Sequence, residues 1–125
     1  MVEEMRKKRN LRSEGSGAED MAVGFLEREG YRIVERNFHF GKSGEIDIIA
    51  REGGYLVFCE VKMRKNDEFG PPEYAVTPQK QRTIRRVAHG YLYVAGIKDQ
   101  ACRFDVVIIR IEREGPVCAL LRNAF

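Results

Sequence analysis

Cysteine and histidine are too few and too scattered in this sequence to build a disulfide framework or a zinc centre. The three cysteines, Cys59, Cys102 and Cys118, are odd in number and share no C-x-x-C spacing. His39 and His89 lie fifty positions apart with no companion cysteine. This pattern argues against both a disulfide-stapled fold and a zinc site. We interpret Cys59 and Cys102, which lie in apolar runs, as small core residues.

Long apolar segments are also missing. No stretch approaches the roughly 20 apolar residues that a membrane-spanning helix needs, and the basic N-terminus has no apolar segment behind it, unlike a secretory signal. These absences predict a cytoplasmic protein with no membrane partner. With 43% hydrophobic and 33% charged residues, the 125-residue chain has the composition and length of one globular domain.

The net charge of +3 is small, but positive charge is concentrated in two segments. Such clusters suit a polyanionic partner, although a solvated face is the commoner explanation for any single run. The clusters are Arg6, Lys7, Lys8, Arg9 and Arg12 near the N-terminus, and Lys80, Arg82, Arg85 and Arg86 further along.

Hydrophobic periodicity predicts an α/β fold with the element order helix, three strands, helix, two strands. Residues 1–16 are expected to form a flexible basic arm, and residues 17–125 a single domain. We predict helices at residues 17–29 and 77–95, with Thr77 as N-cap, Pro78 in the first turn and Gly96 as the stop. The predicted strands cover residues 31–40, 45–50, 55–62, 102–112 and 117–121, and residues 64–76 form a loop. The third strand is apolar on both faces and is therefore expected at the centre of the sheet.

Two acids lie in apolar strand segments, where a carboxylate is costly to bury unless its charge is compensated. They are Asp47 and Glu60. If the turn at residues 51–54 joins antiparallel strands, position 47 lies opposite position 59 or 60, and the two carboxylates become cross-strand neighbours. Adjacent carboxylates repel each other and favour a shared divalent cation, and hard oxygen ligands suit Mg²⁺ or Mn²⁺. The pair therefore predicts a metal site.

Three further residues are candidates for this site. Lys62 follows Glu60 by two positions, so both side chains point the same way, and its ammonium group could orient a water or stabilise a phosphate. Glu19, at the edge of the first helix's apolar stripe, could lean over the site or be a first-turn acid favoured by the helix dipole. Glu45 shares a face with Asp47 as a reserve ligand, although a turn-edge role is the simpler interpretation.

Asp105 resembles Asp47 in context, because it too lies in an apolar strand segment. We interpret it as a structural acid in an ion pair with Arg103 or Lys62. A single buried acid is more often a satisfied structural group than a catalyst, so the prediction of a site depends on the whole set of Asp47, Glu60 and Lys62.

The segments around these acids resemble the split acid and E-x-K signature of the PD-(D/E)XK nuclease-like superfamily. Archaeal Holliday junction resolvases have a similar arrangement, with a helical Glu ahead of it. The likeness is closer still to the YraN-like family of bacterial proteins, and it extends from Gly17 to about Arg110. The segments that carry it are residues 17–22 (GAEDMA), 30–37 (GYRIVERN), 44–50 (GEIDIIA), 58–62 (FCEVK) and 75–77 (AVT), together with Lys80.

The resemblance implies a restriction-endonuclease-like core, in which a mixed central sheet is flanked by helices. It also implies that Asp47 and Glu60 bind the metal together with the backbone carbonyl of Val61. Lys62 would position the nucleophilic water, and Glu19 would be an accessory ligand. The implied cofactor is Mg²⁺ or Mn²⁺.

We therefore expect a metal-dependent nuclease that hydrolyses phosphodiester bonds in DNA, in repair or recombination if it is selective for DNA structure. The basic residues of the second helix would line a phosphate track, and its first turn would assist if that end faces the site. These nucleic-acid-binding candidates are Gln79, Lys80, Arg82, Arg85 and Arg86, with Tyr91 or Tyr93 nearby.

Two alternatives remain open at this stage. One is a nucleic-acid-binding module that keeps the nuclease fold but has little intrinsic activity. The other is an adaptor that binds another protein through its sheet edge or loop. A homodimer through the final strands or the N-terminal arm fits the sequence but is not required by it, and the shape of the nucleic-acid substrate is left undecided.

Overall fold

The strand that is apolar on both faces lies at the centre of the sheet, as predicted. In the computed structural model, which describes residues 11–65 and 75–125, this strand is β3 (Tyr55–Lys65). It lies between β2 (Glu45–Glu52) and β4 (Cys102–Glu112), and β1 (Arg32–His39) and β5 (Gly115–Leu121) form the two edges. The β3–β4 pair is parallel, and the other neighbouring pairs are antiparallel. The sheet is therefore mixed.

The two helices follow from the same apolar periodicity. Helix α1 (Leu11–Arg28) contributes Ala22 and Leu26 to a buried cluster on one face of the sheet, and helix α2 (Pro78–Ala95) packs on the other face. Helix α2 also forms the crossover that a parallel strand pair requires. Neither helix in the described part of the chain combines the length and apolar character of a bilayer span.

The ends of α2 are confirmed where the sequence predicts them. The Thr77 side chain accepts a hydrogen bond from the backbone N–H of Lys80 at 3.2 Å, and Pro78 occupies the first turn, where its missing N–H costs nothing. Gly96 closes the helix in the left-handed conformation (φ 68°), which glycine adopts without strain.

The predicted element order and the restriction-endonuclease-like core are confirmed, whereas several boundaries are wrong. Helix α1 begins at Leu11, six residues before the predicted start at Gly17. Serine and glycine lower helix propensity there, but a helix whose later turns are packed can extend through such residues. Strand β3 continues to Lys65 because its last residues pair with β4 as far as Ile111. Residues 1–10 and 66–74, which include most of the predicted arm and loop, lie outside the described residues.

A buried polar network at the start of β4 confirms the structural role predicted for Asp105. This fully buried carboxylate accepts two hydrogen bonds from Arg103, at 2.9 Å each, and one from the Tyr31 hydroxyl at 2.6 Å. The backbone N–H of Asn123 donates a further bond at 2.9 Å. Its partner is therefore Arg103 rather than Lys62, and both of its oxygens are occupied.

The turn between β1 and β2 is held against α2 by two glycines. At Gly44 (φ 135°), a Cβ atom would lie 2.7 Å from the methyl group of Thr83. At Gly90, within α2, a Cβ atom would overlap the ring of Phe40. These close approaches fix the hairpin along the helix and so fix β2 relative to the start of α2.

We predict that Gly90→Ala lowers the free energy of unfolding by about 1–3 kcal/mol, because the added methyl group must displace the Phe40 ring. The matched control is Gly24→Ala in α1, where the nearest atom to the new Cβ is a side-chain nitrogen of Arg28 at 3.5 Å. That change is expected to raise stability by up to about 1 kcal/mol through helix propensity. Urea denaturation measures both, and equal responses would contradict the proposed contact.

Candidate functional site

Asp47 and Glu60 are neighbours across β2 and β3, as the sequence predicts. The last regular pair of the two strands is Ile48 with Cys59, so the next position places Asp47 opposite Glu60. Backbone pairing stops here, and the Asp47 carboxylate instead accepts a hydrogen bond from the backbone N–H of Val61 at 2.8 Å. At the point where the two strands separate, the Asp47 side chain thus replaces a backbone carbonyl as the acceptor for the Val61 N–H.

The two carboxylates disfavour each other's charge. The side chain of Glu60 is 5% exposed, and its burial, followed by the negative charge of Asp47, raises the pKa of Glu60 to about 7. Lys80 and Lys62 act in the opposite direction but do not outweigh these effects on the pKa. Near neutral pH, Glu60 therefore takes up a proton or a cation more readily than an exposed glutamate does.

Two lysines from different elements face Glu60. The ammonium group of Lys62 lies 3.5 Å from a carboxylate oxygen of Glu60, and that of Lys80 lies 3.7 Å from the same oxygen. Lys62 is on the same strand face by alternation, and Lys80 reaches over from the first turn of α2. The start of α2 therefore faces the acids. A role at the site for Lys80 and for its exposed neighbour Gln79 requires this orientation of the helix.

Glu19 approaches the same place from helix α1. Burial, and then the charge of Asp47, raises the pKa of Glu19. Among the described residues, its Oε1 is the one buried side-chain oxygen or nitrogen that has no hydrogen bond, and it lies 3.6 Å from a guanidinium nitrogen of Arg36. Glu45 also adds to the negative field at Glu19, but its own carboxylate lies 3.3 Å from His39 at the protein surface. Glu45 is thus the more exposed of the two acids, and Glu19 is the more buried.

The acids of the site offer oxygen atoms, which are the type of ligand that a hard divalent cation prefers. Within residues 11–65 and 75–125, no three acidic, histidine or cysteine side chains converge closely enough to hold an ion by themselves. The carboxylates of Asp47 and Glu60, however, repel each other. The charge of Asp47 also raises the pKa of Glu19, whose Oε1 has no hydrogen bond. Oxygen donors supplemented by a carbonyl group and water are typical of Mg²⁺ sites.

The basic residues of α2 divide into two groups. Arg82 and Arg86 are four positions apart and exposed, so they lie on one outer stripe of the helix. Arg85 instead stacks on two aromatic rings, with its guanidinium carbon 4.7 Å from the ring centre of Phe104 and 5.5 Å from that of Phe125. Arg85 therefore contributes to packing even though it is exposed.

Only one of the two tyrosines considered for the phosphate track is accessible. Tyr91 is 8% exposed and packs edge-on against Phe38 and Phe58, so it belongs to the core. Tyr93 is 84% exposed near the end of α2. The helical period separates the two, because they differ by two positions and therefore lie on opposite sides of the helix.

Sequence patterns assign no role to Arg36 and Asn37, two consecutive residues of β1. Arg36 forms ion pairs with Asp20, at 2.7 Å, and with Glu19. Asn37 has a left-handed backbone (φ 54°) near the end of β1. Their only sequence signal is the Arg-Asn pair at the end of a strand segment, which by itself does not distinguish a site residue from a turn residue.

Comparison with known proteins places the chain among bacterial relatives of similar length. The profile of the uncharacterised protein family UPF0102 matches residues 18–109, which include all of α2 and the site residues Glu19, Asp47, Glu60, Lys62 and Lys80. A UPF0102 protein of Symbiobacterium thermophilum is 47% identical over 112 residues, covering 89% of this chain and 94% of that protein. Relatives from Syntrophus aciditrophicus (44% identical, 93% of this chain and 90% of that protein) and Geobacter sulfurreducens (46% identical, 89% and 87%) are similar over most of their lengths.

We predict that Glu60→Gln stabilises the protein in EDTA at pH 8 by about 1–3 kcal/mol and has much less effect at pH 5. The folded-state pKa of Glu60 lies above its ordinary value of 4.5. Its ionisation therefore costs stability that grows as the pH rises from 4.5 toward about 7 and is complete above that value. Glutamine removes this cost.

The matched control is the exposed Glu29, whose replacement by glutamine is expected to change stability little at either pH. Chemical denaturation at the two pH values measures both variants. A loss of stability in Glu60→Gln at pH 8 would mean that the contacts with Lys62 and Lys80 outweigh burial and repulsion.

Proposed function

The chain belongs to the YraN family, the uncharacterised protein family UPF0102, of the PD-(D/E)XK nuclease-like superfamily, and we propose that it is a metal-dependent nuclease that hydrolyses phosphodiester bonds in DNA. The observation that carries this proposal is the pair of half-buried Asp47 and buried Glu60 at the separation of β2 and β3, with the Lys62 ammonium group 3.5 Å from Glu60. A structural acid pair would need no such separation of the strands. An open strand end, by contrast, gives a phosphate access to the carboxylates.

In this proposal the acids hold a divalent cation. Asp47 and Glu60 are the side-chain ligands, the backbone carbonyl of Val61 joins them, and Glu19 is an accessory ligand. A bound Mg²⁺ or Mn²⁺ supplies positive charge to the phosphate and makes a water molecule more acidic. The Glu60 carboxylate is shielded from bulk water, so a bound cation stabilises its charge more than it would stabilise an exposed carboxylate.

Lys62 and Lys80 have separate tasks at the same carboxylate. Lys62 lies on the strand face of Glu60 and is placed to orient the attacking water or to stabilise negative charge that develops on the phosphate. Lys80 belongs to the first turn of α2, where the helix dipole adds to its positive charge. Together with Gln79 it is suited to receive a phosphate of the DNA backbone rather than to act on the reacting group.

The outer stripe of α2 extends the positive surface away from the acids. Arg82 and Arg86 are exposed and follow Lys80 along the helix, so we propose that they contact backbone phosphates next to the cleaved one. Phosphate contacts fix the position of the DNA without reading its sequence, which fits an enzyme that recognises DNA structure in repair or recombination.

A second candidate function is a nucleic-acid-binding module with little intrinsic activity. The observation that favours it is the contact of Glu60 with both Lys62 and Lys80, which compensates part of the carboxylate charge without a cation. Such a module would keep the exposed Arg82 and Arg86 of α2 and would bind nucleic acid without a metal. Cleavage assays separate the two functions directly.

We predict that the protein cleaves end-labelled DNA in Mg²⁺ or Mn²⁺, and that Asp47→Asn and Lys62→Ala each reduce the rate by about 100-fold or more. The substrates to compare are single-stranded, duplex, flap and four-way-junction DNA. The matched control is Asp99→Asn, an exposed turn position with a left-handed backbone (φ 55°) that asparagine also adopts, and it is expected to keep full activity.

Three outcomes would decide between the two functions. Cleavage by wild type and Asp99→Asn but not by Asp47→Asn supports the nuclease and identifies its substrate shape. Salt-sensitive binding without any product would favour the binding module. Equal cleavage by all variants would point to a contaminating nuclease and would remove the support for this site.

We also predict that Arg82→Gln and Arg86→Gln weaken DNA binding about equally for all sequences and reduce the slope of log affinity against log salt by roughly 1 each. Arg113→Gln, in the turn between β4 and β5, removes the same charge from an exposed position remote in sequence from α2 and is expected to leave the slope unchanged. Fluorescence anisotropy at several salt concentrations, with EDTA present, measures binding without cleavage. Equal effects of all three changes would indicate a general charge effect rather than a track on α2.

A further inference from the structure

Helix α2 contains positive charge that the described structure does not balance. Its 18 residues include one lysine, three arginines and no acid, whereas α1, which is equally long, includes four acids. Arg82 and Arg86 are four positions apart, and like charges at this spacing destabilise a helix. Within residues 11–65 and 75–125, no carboxylate forms an ion pair with either of them. A bound anion would relieve this repulsion.

The outer face of α2 continues past the two arginines to an aromatic ring. With 3.6 residues per turn, positions 82, 86, 89 and 93 lie within about 60° of one another around the helix axis and span roughly 16 Å. All four side chains are exposed, on the side of the helix opposite the buried Ile84 and Tyr91. The extended stripe that they form consists of Arg82, Arg86, His89 and Tyr93.

The ring of Tyr93 is available for stacking. Two aromatic side chains of the described residues are exposed, Tyr93 at 84% and Tyr55 at 44%. The Tyr55 ring already has a cation over it, because the guanidinium carbon of Arg103 lies 5.0 Å from its centre. Tyr93 takes part in none of the ring–ring or cation–ring contacts among the described residues.

The combination of charge and ring specifies the ligand more closely than either does alone. A single exposed tyrosine is ordinary on a protein surface. At the end of a stripe of unbalanced arginines, it matches a ligand that has both phosphates and flat rings, which is a nucleic-acid strand. Arginines bind the phosphates of a duplex and of a single strand, whereas a side chain on the surface of a helix stacks only on a base that is unpaired. Tyr93 therefore distinguishes the two forms of DNA.

We propose that the extended stripe binds an unpaired DNA strand, with phosphates on Arg82 and Arg86 and a base stacked on Tyr93. Lys80, at the start of the same helix, lies 3.7 Å from Glu60, so the bound strand leads away from the acids along α2. The inference rests on the proposed function, because it names the substrate class of the same site. That substrate is DNA with a single-stranded segment next to the cleaved bond.

The experiment is fluorescence anisotropy of the full chain in EDTA, comparing a labelled oligo-dT of about 15 nucleotides with a duplex of equal length. Tyr93→Leu keeps an apolar, helix-favouring side chain and removes the ring. We expect it to weaken single-strand binding about 5-fold or more and to change duplex binding less than about 2-fold.

Val94→Ala is the matched control for this comparison. Val94 is the next residue of the helix and is 64% exposed, but it lies about 100° away from Tyr93 around the axis. The change removes exposed apolar surface from the same end of α2 without touching the stripe. We expect Val94→Ala to bind both DNA forms like wild type.

Tyrosine emission provides a second readout that a merely structural role would not change. The chain contains five tyrosines and no tryptophan, so its intrinsic fluorescence comes from tyrosine. A base stacked on Tyr93 quenches that emission, and unlabelled oligo-dT is therefore expected to lower the signal of wild type. Tyr93→Phe keeps a ring for stacking, so it should bind oligo-dT with similar affinity but show much less quenching.

Several results would overturn the proposal. One is that wild type binds no oligo-dT, and another is that Tyr93→Leu binds it like wild type. Equal losses for single strand and duplex would mean that Tyr93 does not read unpaired bases. Equal losses in Tyr93→Leu and Val94→Ala would mean that the end of α2 acts as an apolar patch, for example for another protein, rather than as a stacking platform.

This test is separate from the test of cleavage. If wild type shows Tyr93-dependent binding of oligo-dT but cleaves no DNA in Mg²⁺ or Mn²⁺, the proposed nuclease fails and the single-strand surface stands. If wild type cleaves DNA and Tyr93→Leu keeps the single-strand affinity of wild type, only the role of the extended stripe is overturned.

Discussion

The site depends on the way Asp47 ends the pairing of β2 with β3. A regular ladder would satisfy the backbone N–H of Val61 from the neighbouring strand, but the Asp47 carboxylate accepts this hydrogen bond instead, at 2.8 Å. The two strands can therefore separate without leaving a buried donor unpaired, which would otherwise cost a substantial free energy. The separation leaves Glu60 buried next to a like charge, an arrangement that the core tolerates because β3 is packed on both faces.

The sheet contains two buried acids, Asp105 and Glu60, whose charges are compensated to different extents. Asp105 accepts four hydrogen bonds from Arg103, Tyr31 and the Asn123 backbone, so its charge is fully compensated and no oxygen remains for a ligand. The nearest lysine nitrogens lie 3.5 and 3.7 Å from Glu60. Their effect on its pKa is smaller than that of burial and of repulsion by Asp47, so the pKa is raised. A buried acid whose charge is incompletely compensated favours chemistry, because a bound cation or proton stabilises it.

The parallel pairing of β3 with β4 explains why a basic helix begins at the acids. A parallel pair needs a crossover, and α2 provides it on the face that carries Glu60. The helix therefore starts near the carboxyl end of β3, where its first turn places Lys80 against Glu60, and Arg82 and Arg86 follow on the outer surface. One topological requirement thus brings together the acids, the positive end of a helix dipole and an exposed basic stripe.

The sequence by itself determined the element order, the ends of α2, the central place of β3 and the pairing of Asp47 with Glu60. Each of these follows from local rules: apolar periodicity, capping residues, and a short turn that fixes the register of one hairpin. Only the tertiary structure decided which of the flanking residues join the site. Arg85 packs on aromatic rings, Tyr91 lies in the core, and Arg36 reaches Glu19 from a different element. Contacts between elements distant in the chain depend on how the layers pack, and no local pattern encodes that packing.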